Sequence, residues 1–285
     1  MLANPIMPLE PESQIPVIIE PVKNWLSFDF REVWEYRELL YFFIWRDIKV
    51  RYKQTILGGV WVILQPLMPM IVFSVFFGLL IKVPSDNIPY PIFTYAALLP
   101  WQLFAYASYA SSQSLVANQG MITKVYFPRL FIPLSILLGS LIDFLIPVPL
   151  LVGMMYYYGI QLTWTAIYVP LFLLLTLLIA LGMGLWSSAL HVRYRDVHHV
   201  INFLIQFLMF ATPIFYPSSL LPDRWRLLYG LNPMVGVVEG FRWALLGEGQ
   251  PFHPSIFLSI PIVILLLISG LLYFNRVEKT FADHL

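Results

Sequence analysis

Long charge-free apolar runs alternate with short polar segments along this chain. A helix needs about 20 residues to cross the ~30 Å hydrocarbon core of a bilayer. Six runs approach or exceed that length, and we expect each to form a membrane-spanning helix. The predicted spans cover residues 59–81, 92–115, 130–157, 167–190, 200–215 and 256–274. The third contains several prolines, and the fifth is short and ends near two prolines.

The segment between the fifth and sixth predicted spans is too apolar for a solvated loop. Within it, Asn232 and Pro233 are typical of a helix start, and Gly247 is typical of a helix end. We expect two short re-entrant helices in the outer leaflet within residues 217–250. Such backbone is tolerated at membrane depth only when it is buried in protein or lines a cavity.

A further helix, over residues 36–53, is predicted before the first span. Its aromatic and apolar positions recur at helical spacing: Tyr41, Ile44, Trp45, Ile48 and Tyr52. Its cations gather on the other side: Arg46, Lys49 and Lys53. This pattern is typical of a helix in the headgroup region. Two interpretations stay open, a plain lipid-surface anchor and a helix whose polar face also holds a cytoplasmic partner.

The composition agrees with a membrane protein of several spans. Of the 285 residues, 59% are hydrophobic and 12% charged, whereas soluble domains carry about 25% charged residues. A net charge of +1 gives no reason to expect a nucleic-acid partner. The absence of cysteine excludes disulfides and thiol catalysis. None of the five histidines stands in a metal-binding pattern, so we expect no metal site.

The distribution of lysine and arginine predicts the orientation. The six spans place 13 of the 17 basic residues on one side of the membrane. By the positive-inside rule that side is the cytoplasm, and it contains both termini. Residues 1–35 are rich in proline and lack the charge and apolar pattern of a signal peptide, so we expect a cytoplasmic leader there.

A few polar residues are candidates for function. Asp143 lies well inside a predicted span, where a charge is costly, so it should face a polar cavity, a partner or a dimer axis. A structural hydrogen-bonding role and a role in a substrate path both stay open. Glu239 and Arg242 are spaced to neutralise each other on the second re-entrant helix. A structural pair is favoured there over contact with a glycan or a lipid pyrophosphate.

Two further groups border the predicted spans. Arg193, Arg195 and Asp196 stand at the cytoplasmic mouth between the fourth and fifth spans. Ordinary topology explains the arginines, and guidance of a lipid phosphate is the functional alternative. The aromatic residues that could line a translocation path, rather than face lipid, include Trp101, Phe104, Tyr106 and Tyr109.

No GxxxxGK[ST] sequence occurs in the chain, so ATP hydrolysis would require a partner. Five segments nevertheless resemble the membrane subunit of type-2 ABC exporters, in the branch that moves O-antigen, teichoic acid or capsule chains. They are RDIKVRYKQTILGGVWVILQP (46–66), NQGMITKVYFPRLFIPL (118–134), RYRDV (193–197), TPIFYP (212–217) and LNPMVGVVEGFRWALLG (231–247). They follow one another on the predicted sides of the membrane. The resemblance runs from about residue 36 to the end of the chain.

The resemblance implies an all-α permease domain over residues 36–285 with six transmembrane helices. It also implies a homodimer in a bacterial inner membrane, with a pore between protomers for a lipid-linked polysaccharide. Two copies of a separate cytoplasmic ATPase would bind ATP and Mg. By match, the coupling element is residues 118–129, with Asn118, Lys124, Tyr126, Phe127 and Arg129. By the same match, the helix over residues 36–53 is the family's interface helix. It would face the same ATPase with Arg46, Asp47, Lys49, Arg51 and Lys53.

Other functions stay open. The nearest is an exporter of the same fold that moves a drug or another lipid. A membrane-embedded transferase acting on lipid-linked sugars would need acidic or histidine groups clustered at one membrane face, and only Asp143 lies well inside a span. A secondary transporter would usually show internal repeats and several intramembrane charges, and the sequence shows neither.

Overall fold

Helices make up the regular structure of the described chain. The structure, a computed structural model, describes residues 34–53, 58–247, 255–278 and 281, so nearly all of the predicted leader lies outside it. Within these residues the α-helices are α1 Arg37–Lys53, α2 Gly59–Phe73, α3 Tyr90–Ala117, α4 Gln119–Ile122, α5 Phe131–Leu145, α6 Val148–Tyr157, α7 Val169–Arg193, α8 Val197–Phe210, α9 Asp223–Tyr229, α10 Pro233–Leu246 and α11 Ser255–Glu278. A π-helix continues α2 over Ser74–Leu80, and 3-10 helices cover Trp164–Tyr168 and Ser218–Leu220.

Four helical segments of the described chain are long and apolar enough to cross a membrane. They are Gly59–Leu80, Phe131–Tyr157, Trp164–Arg193 and Phe257–Glu278. They coincide with the first, third, fourth and sixth predicted spans. Charge-free apolar sequence favours a helix in lipid because a helix satisfies its own backbone hydrogen bonds.

The second predicted span is α3, which lies at the centre of the bundle. Its 28 residues give a length of about 42 Å, but serine, tyrosine and glutamine make it less apolar than those four segments. Helices α7 and α5 pack along it, and it buries large side chains such as Phe93, Tyr95 and Trp101. A helix enclosed by other helices presents little surface to lipid, so it can contain more polar residues than a lipid-facing span. Its crossing of the membrane stays a prediction.

The fifth predicted span differs from its expected form. Helix α8 has 14 residues and a length of about 21 Å, less than the thickness of a bilayer core. It ends before Pro213, which cannot donate the next backbone hydrogen bond. The six-span count therefore stays a prediction.

The predicted pair of helices after α8 is present as α9 and α10. The expected start of α10 is confirmed, because the Asn232 side chain accepts a hydrogen bond from the Met234 N–H at 3.1 Å and Pro233 occupies the first turn. The expected end is also confirmed, since Gly247 has a left-handed φ of 73°. The depth of both helices in the membrane stays a prediction.

Candidate coupling site

Helix α1 packs against α5 through a face that the sequence pattern did not predict. Phe43, Asp47 and Arg51 are spaced four residues apart and lie on the side toward the bundle, where Phe43 is 4% exposed. Tyr41 and Trp45 belong to the predicted aromatic face and are 70% and 47% exposed. The position of this aromatic face relative to the membrane stays a prediction. The charged side chains on the buried face have their bonding partners on α5. The sequence of α1 alone therefore cannot show that these side chains face the bundle.

Arg46 connects α1 to the predicted coupling element. Its Nη2 donates to Asp47 Oδ1 at 2.8 Å and to Asn118 Oδ1 at 3.2 Å, and its Nε also reaches Asp47. Asp47 in turn accepts a hydrogen bond from Ser135 Oγ on α5 at 2.9 Å. One ion pair thus joins α1, the end of α3 and the start of α5. Arg46 therefore has partners within this protein, and its contact with an ATPase stays a prediction.

A second ion pair fastens the end of α1 to the third predicted span. Arg51 Nη1 and the Tyr52 hydroxyl both donate to the Asp143 carboxylate. The Arg51 guanidinium also lies 4.5 Å from the centre of the Tyr106 ring. Burial, followed by the hydrogen bond to Asp143, raises the pKa of Tyr52, so its hydroxyl stays protonated and donates. The costly charge of Asp143 is neutralised inside the protomer.

Asp143 and Tyr106 also border a cavity of about 240 Å³ between α2, α3 and α5. Trp61, Gln65 and Gln102 line the same space. Asp143 therefore borders a cavity whose walls are mostly apolar, and its partner within the protomer is Arg51. Its geometry favours the structural role, and a part in a substrate path stays a prediction.

Lys49 and Lys53 keep the positions expected of cations open to a partner or to lipid phosphate. Both are exposed on α1, and Lys49 Nζ lies 4.3 Å from the centre of the Trp45 ring. The five charged residues predicted to form one docking face thus divide into two sets. Arg46, Asp47 and Arg51 hold α1 in place, while Lys49 and Lys53 point outward.

The coupling element forms an exposed tip on a buried base. Its helix, α4, is only four residues long, and a turn follows it. At the base, Phe127 is 4% exposed and packs edge-to-face on Phe43 with 5.3 Å between ring centres. At the tip, Lys124 and Tyr126 are exposed. A force applied to the tip would therefore reach α1 and α5 through the phenylalanine pair. We call residues 119–126 the coupling tip.

Arg129 lies away from the coupling tip. Its backbone N–H donates to Glu278 Oε1 at 3.3 Å, and its guanidinium donates to the Glu278 carbonyl. The guanidinium also lies 5.7 Å from the centre of the Phe281 ring. These contacts tie the coupling element to the end of α11, and a contact of Arg129 with the ATPase stays a prediction.

The predicted cytoplasmic mouth is the turn between α7 and α8. Arg193, Arg195 and Asp196 are all exposed there. Nearby, His191 Nδ1 is hydrogen-bonded to the Ser112 carbonyl at 2.9 Å, which joins the end of α7 to the last turns of α3. This turn therefore lies at the same end of the bundle as the coupling tip. A contact with lipid phosphate stays a prediction.

The predicted path aromatics are mostly enclosed within the protomer. Trp101 and Phe104 are 2% and 1% exposed, with 5.3 Å between their ring centres. They therefore offer almost no surface to a pore between protomers, and that expectation is wrong for both. The sequence of α3 alone does not show which of its side chains other helices cover. Tyr106 faces Arg51, and Tyr109 packs at the edge of the core.

At the other end of α3, Arg242 is held by backbone oxygens. Its Nε donates to the Phe93 carbonyl at 3.0 Å, its Nη2 donates to the Ile214 carbonyl at 2.5 Å, and its guanidinium lies 3.6 Å above the Phe93 ring. The described side chains of Glu239 and Arg242 form no direct ion pair, but their opposite charges attract each other, and their mutual neutralisation stays a prediction. Two carbonyls within reach provide the closer partners. Burial raises the pKa of the Glu239 carboxyl above its usual range.

The chain matches a known family over most of its length. A sequence model described as ABC-2 type transporter matches residues 38–246, which run from α1 through the coupling element to the end of α10. This chain belongs to that family. The resemblance indicated by the five sequence landmarks is thereby confirmed, and the apolar helices are those of an ABC-2 membrane protein.

Individual ABC-2 relatives match nearly the whole chain. The O-antigen export system permease protein RfbA of Myxococcus xanthus is 30% identical over 257 residues, which cover 89% of this chain and 97% of the relative. A protein of the same name from Klebsiella pneumoniae is 29% identical over 84% of this chain and 91% of its own length. The polysialic acid transport protein KpsM of Escherichia coli is 27% identical over 82% of this chain and 91% of its own length.

Proposed function

We propose that this chain is the permease subunit of an ATP-driven exporter that moves a lipid-linked polysaccharide across a bacterial inner membrane. Support for the substrate comes from relatives named for O-antigen export and polysialic acid transport, which align along almost their full length. Two protomers form the pore between them, and two copies of a separate ATPase supply the energy. Both termini lie in the cytoplasm.

The coupling tip supports the role of a partner ATPase. It is exposed at Lys124 and Tyr126, and Phe127 anchors it to α1. A protein that receives force from a motor needs such an exposed contact on a rigid base. The exposed Lys49 and Lys53 of α1 extend the same surface. ATP binding closes the ATPase pair, which displaces the coupling tip and, through the Arg46 and Phe127 contacts, the helices of the bundle.

Deletion of the chromosomal gene tests the substrate. We expect surface polysaccharide to disappear and lipid-linked glycan to accumulate inside the cell, and a plasmid copy to reverse both changes. Unchanged surface polysaccharide, together with lost export of a drug or another lipid, would instead support the alternative exporter of the same fold.

Copurification tests the motor. A tagged chain extracted from its own cells should carry a P-loop ATPase, and Tyr126→Ala should reduce the amount recovered. Tyr156→Ala is the matched control, because Tyr156 is 90% exposed but lies near the end of α6, far from the coupling tip. Equal ATPase recovery with both variants would contradict docking at the tip. Full transport by the purified chain alone would contradict the need for an ATPase.

A further inference from the structure

A polar cavity opens at the end of the bundle opposite the coupling tip. Its volume is about 430 Å³, within the range of small-molecule sites. Phe93, in the first turn of α3, belongs to its wall, whereas the coupling tip follows the last turn of α3, about 37 Å away along the helix. The rest of the wall comes from the loop before α3, the turn before α9, and from α9 and α10. We call it the outer cavity.

The charges that line the outer cavity balance each other. Arg226 and Arg242 contribute two cations, and Asp86 and Glu239 contribute two carboxylates. A phosphate group would meet both carboxylates and be repelled by them. Sugar hydroxyl groups both donate and accept hydrogen bonds, so they can use the carboxylates and the guanidinium groups together. The lining is therefore complementary to a neutral polyhydroxyl ligand.

The lining is also fixed in advance of binding. Two backbone carbonyls orient the Arg242 guanidinium, whose exposure is 5%. Ser219 Oγ donates to Asp86 Oδ1 at 3.0 Å, which holds the loop before α3 against the turn before α9. Asp86 and Asn87 have left-handed φ angles of 50° and 63°, a turn conformation that aspartate and asparagine adopt more often than most other residues.

We propose that the outer cavity binds a neutral sugar unit of the exported polysaccharide as the chain leaves the bundle. The carboxylates of Asp86 and Glu239 accept hydrogen bonds from sugar hydroxyls, and the arginines donate to the same unit. This site rests on the proposed function, because the exported glycan is the source of the sugar. It lies apart from the coupling site, so the two can be tested separately.

Photocrosslinking in living cells tests the proposal. Asn87→benzoylphenylalanine places a probe in the wall of the outer cavity, in the full chain and in cells that make their own glycan. The purified chain should carry glycan detectable by periodate staining. Trp164→benzoylphenylalanine is the matched control, because Trp164 is 93% exposed at the same end of the bundle and outside the cavity lining. Equal glycan at both positions would overturn the proposal.

Two variants of the probe-bearing chain sharpen the result. Glu239→Gln removes a charged acceptor, and we expect the glycan adduct to fall about tenfold, the usual effect of losing one hydrogen bond to a charged group. Ser219→Phe fills the cavity and should abolish the adduct. Leu220→Phe, at an exposed neighbour outside the lining, should leave it unchanged. An unchanged adduct with Ser219→Phe would overturn the proposal, as would an adduct that contains phosphate but no sugar.

Failure of this site can be told apart from failure of the proposed function. Surface polysaccharide is measured in the same strains, with and without the unsubstituted chain. If export depends on the chain but no adduct forms at position 87, the sugar site is wrong and the exporter stands. If surface polysaccharide does not depend on the chain, the proposed function is wrong, and the sugar site is overturned with it.

Discussion

Removal of the Asp143 carboxylate is the sharpest test of how α1 is attached. Asp143→Leu leaves the Arg51 guanidinium with the Tyr106 ring as its described neighbour and takes an acceptor from Tyr52. An unpaired partner of a buried ion pair costs about 3–5 kcal/mol. The Arg51 and Asp143 side chains keep 23% and 17% exposure, so we take about 2 kcal/mol, at the low end for broken charge pairs.

This energy predicts a measurable opening of α1. A loss of about 2 kcal/mol raises the equilibrium constant for detachment of α1 from α5 about 30-fold. Hydrogen exchange of the α1 amides, measured in lipid nanodiscs, should accelerate by that factor. The chain has no cysteine, so an Ile48→Cys/Gly139→Cys pair provides a second readout. A Cβ at position 139 would lie 3.8 Å from Ile48 Cγ1, and disulfide formation should slow in the Asp143→Leu background.

The double variant Arg51→Leu/Asp143→Leu is the control. Replacing both members of a buried ion pair by apolar residues is often neutral, so exchange should return to within about threefold of the parent chain, a spread of roughly 0.7 kcal/mol. Two results would refute the reasoning. One is an Asp143→Leu chain whose α1 exchanges at the parental rate, and the other is a double variant that exchanges as fast as the single one.

Three further substitutions probe other contacts. Gly240→Ala would drive its methyl group into the Phe172 ring and should destabilise the bundle by about 1–3 kcal/mol in thermal unfolding followed by tryptophan fluorescence. Gly153→Ala, with open space around it, is the matched control. Asn232→Ala removes the cap of α10 and should cost about 1–2 kcal/mol in the same assay, with Asn232→Asp retaining most of the cap. Phe127→Ala should cost about 3–5 kcal/mol as a truncated core aromatic and reduce ATPase recovery.

Each of these has an outcome that counts against it. Equal melting temperatures for the Gly240 and Gly153 variants would mean that the Phe172 ring moves aside freely. An Asn232→Asp chain as unstable as Asn232→Ala would point to the amide contacts with Ala211 and Thr212 rather than to the cap. Normal ATPase recovery with Phe127→Ala would show that the tip needs no anchor.

Helix ends and strongly apolar spans could be predicted from the sequence, because both depend on residues that are close together in the chain. Helix α10 starts at Asn232 because the Asn232 side chain caps it. It ends at Gly247 because glycine readily adopts the left-handed backbone conformation. The four strongly apolar spans likewise follow from their own composition. Helix α3 is different, because its surroundings are other helices and its composition therefore resembles neither a lipid-facing span nor a solvated helix.

The sequence predicts which segments form the candidate site, but not the contacts between them. Residues 46–53 and 118–129 were both assigned to coupling, and Arg46 does join them. The inward direction of Arg51 depends on Asp143, which is 92 positions away in the chain, and no periodicity within α1 reveals such a partner. An unpaired acid in a predicted span near a cluster of cations is the signal that could have suggested the pair. The burial of Trp101 and the separation of Glu239 from Arg242 also depend on distant segments.

The length of α3 has a mechanical consequence. One end is bonded to Arg242 through the Phe93 carbonyl, and the other to Arg46 through Asn118. If this rod pivots near its midpoint, a tilt of about 5° moves each end by about 2 Å, in opposite directions. A movement at the end next to the coupling tip then produces an equal and opposite movement at the far end. In an exporter with such a helix, contacts at one end of α3 would open in the same step in which contacts at the other end close.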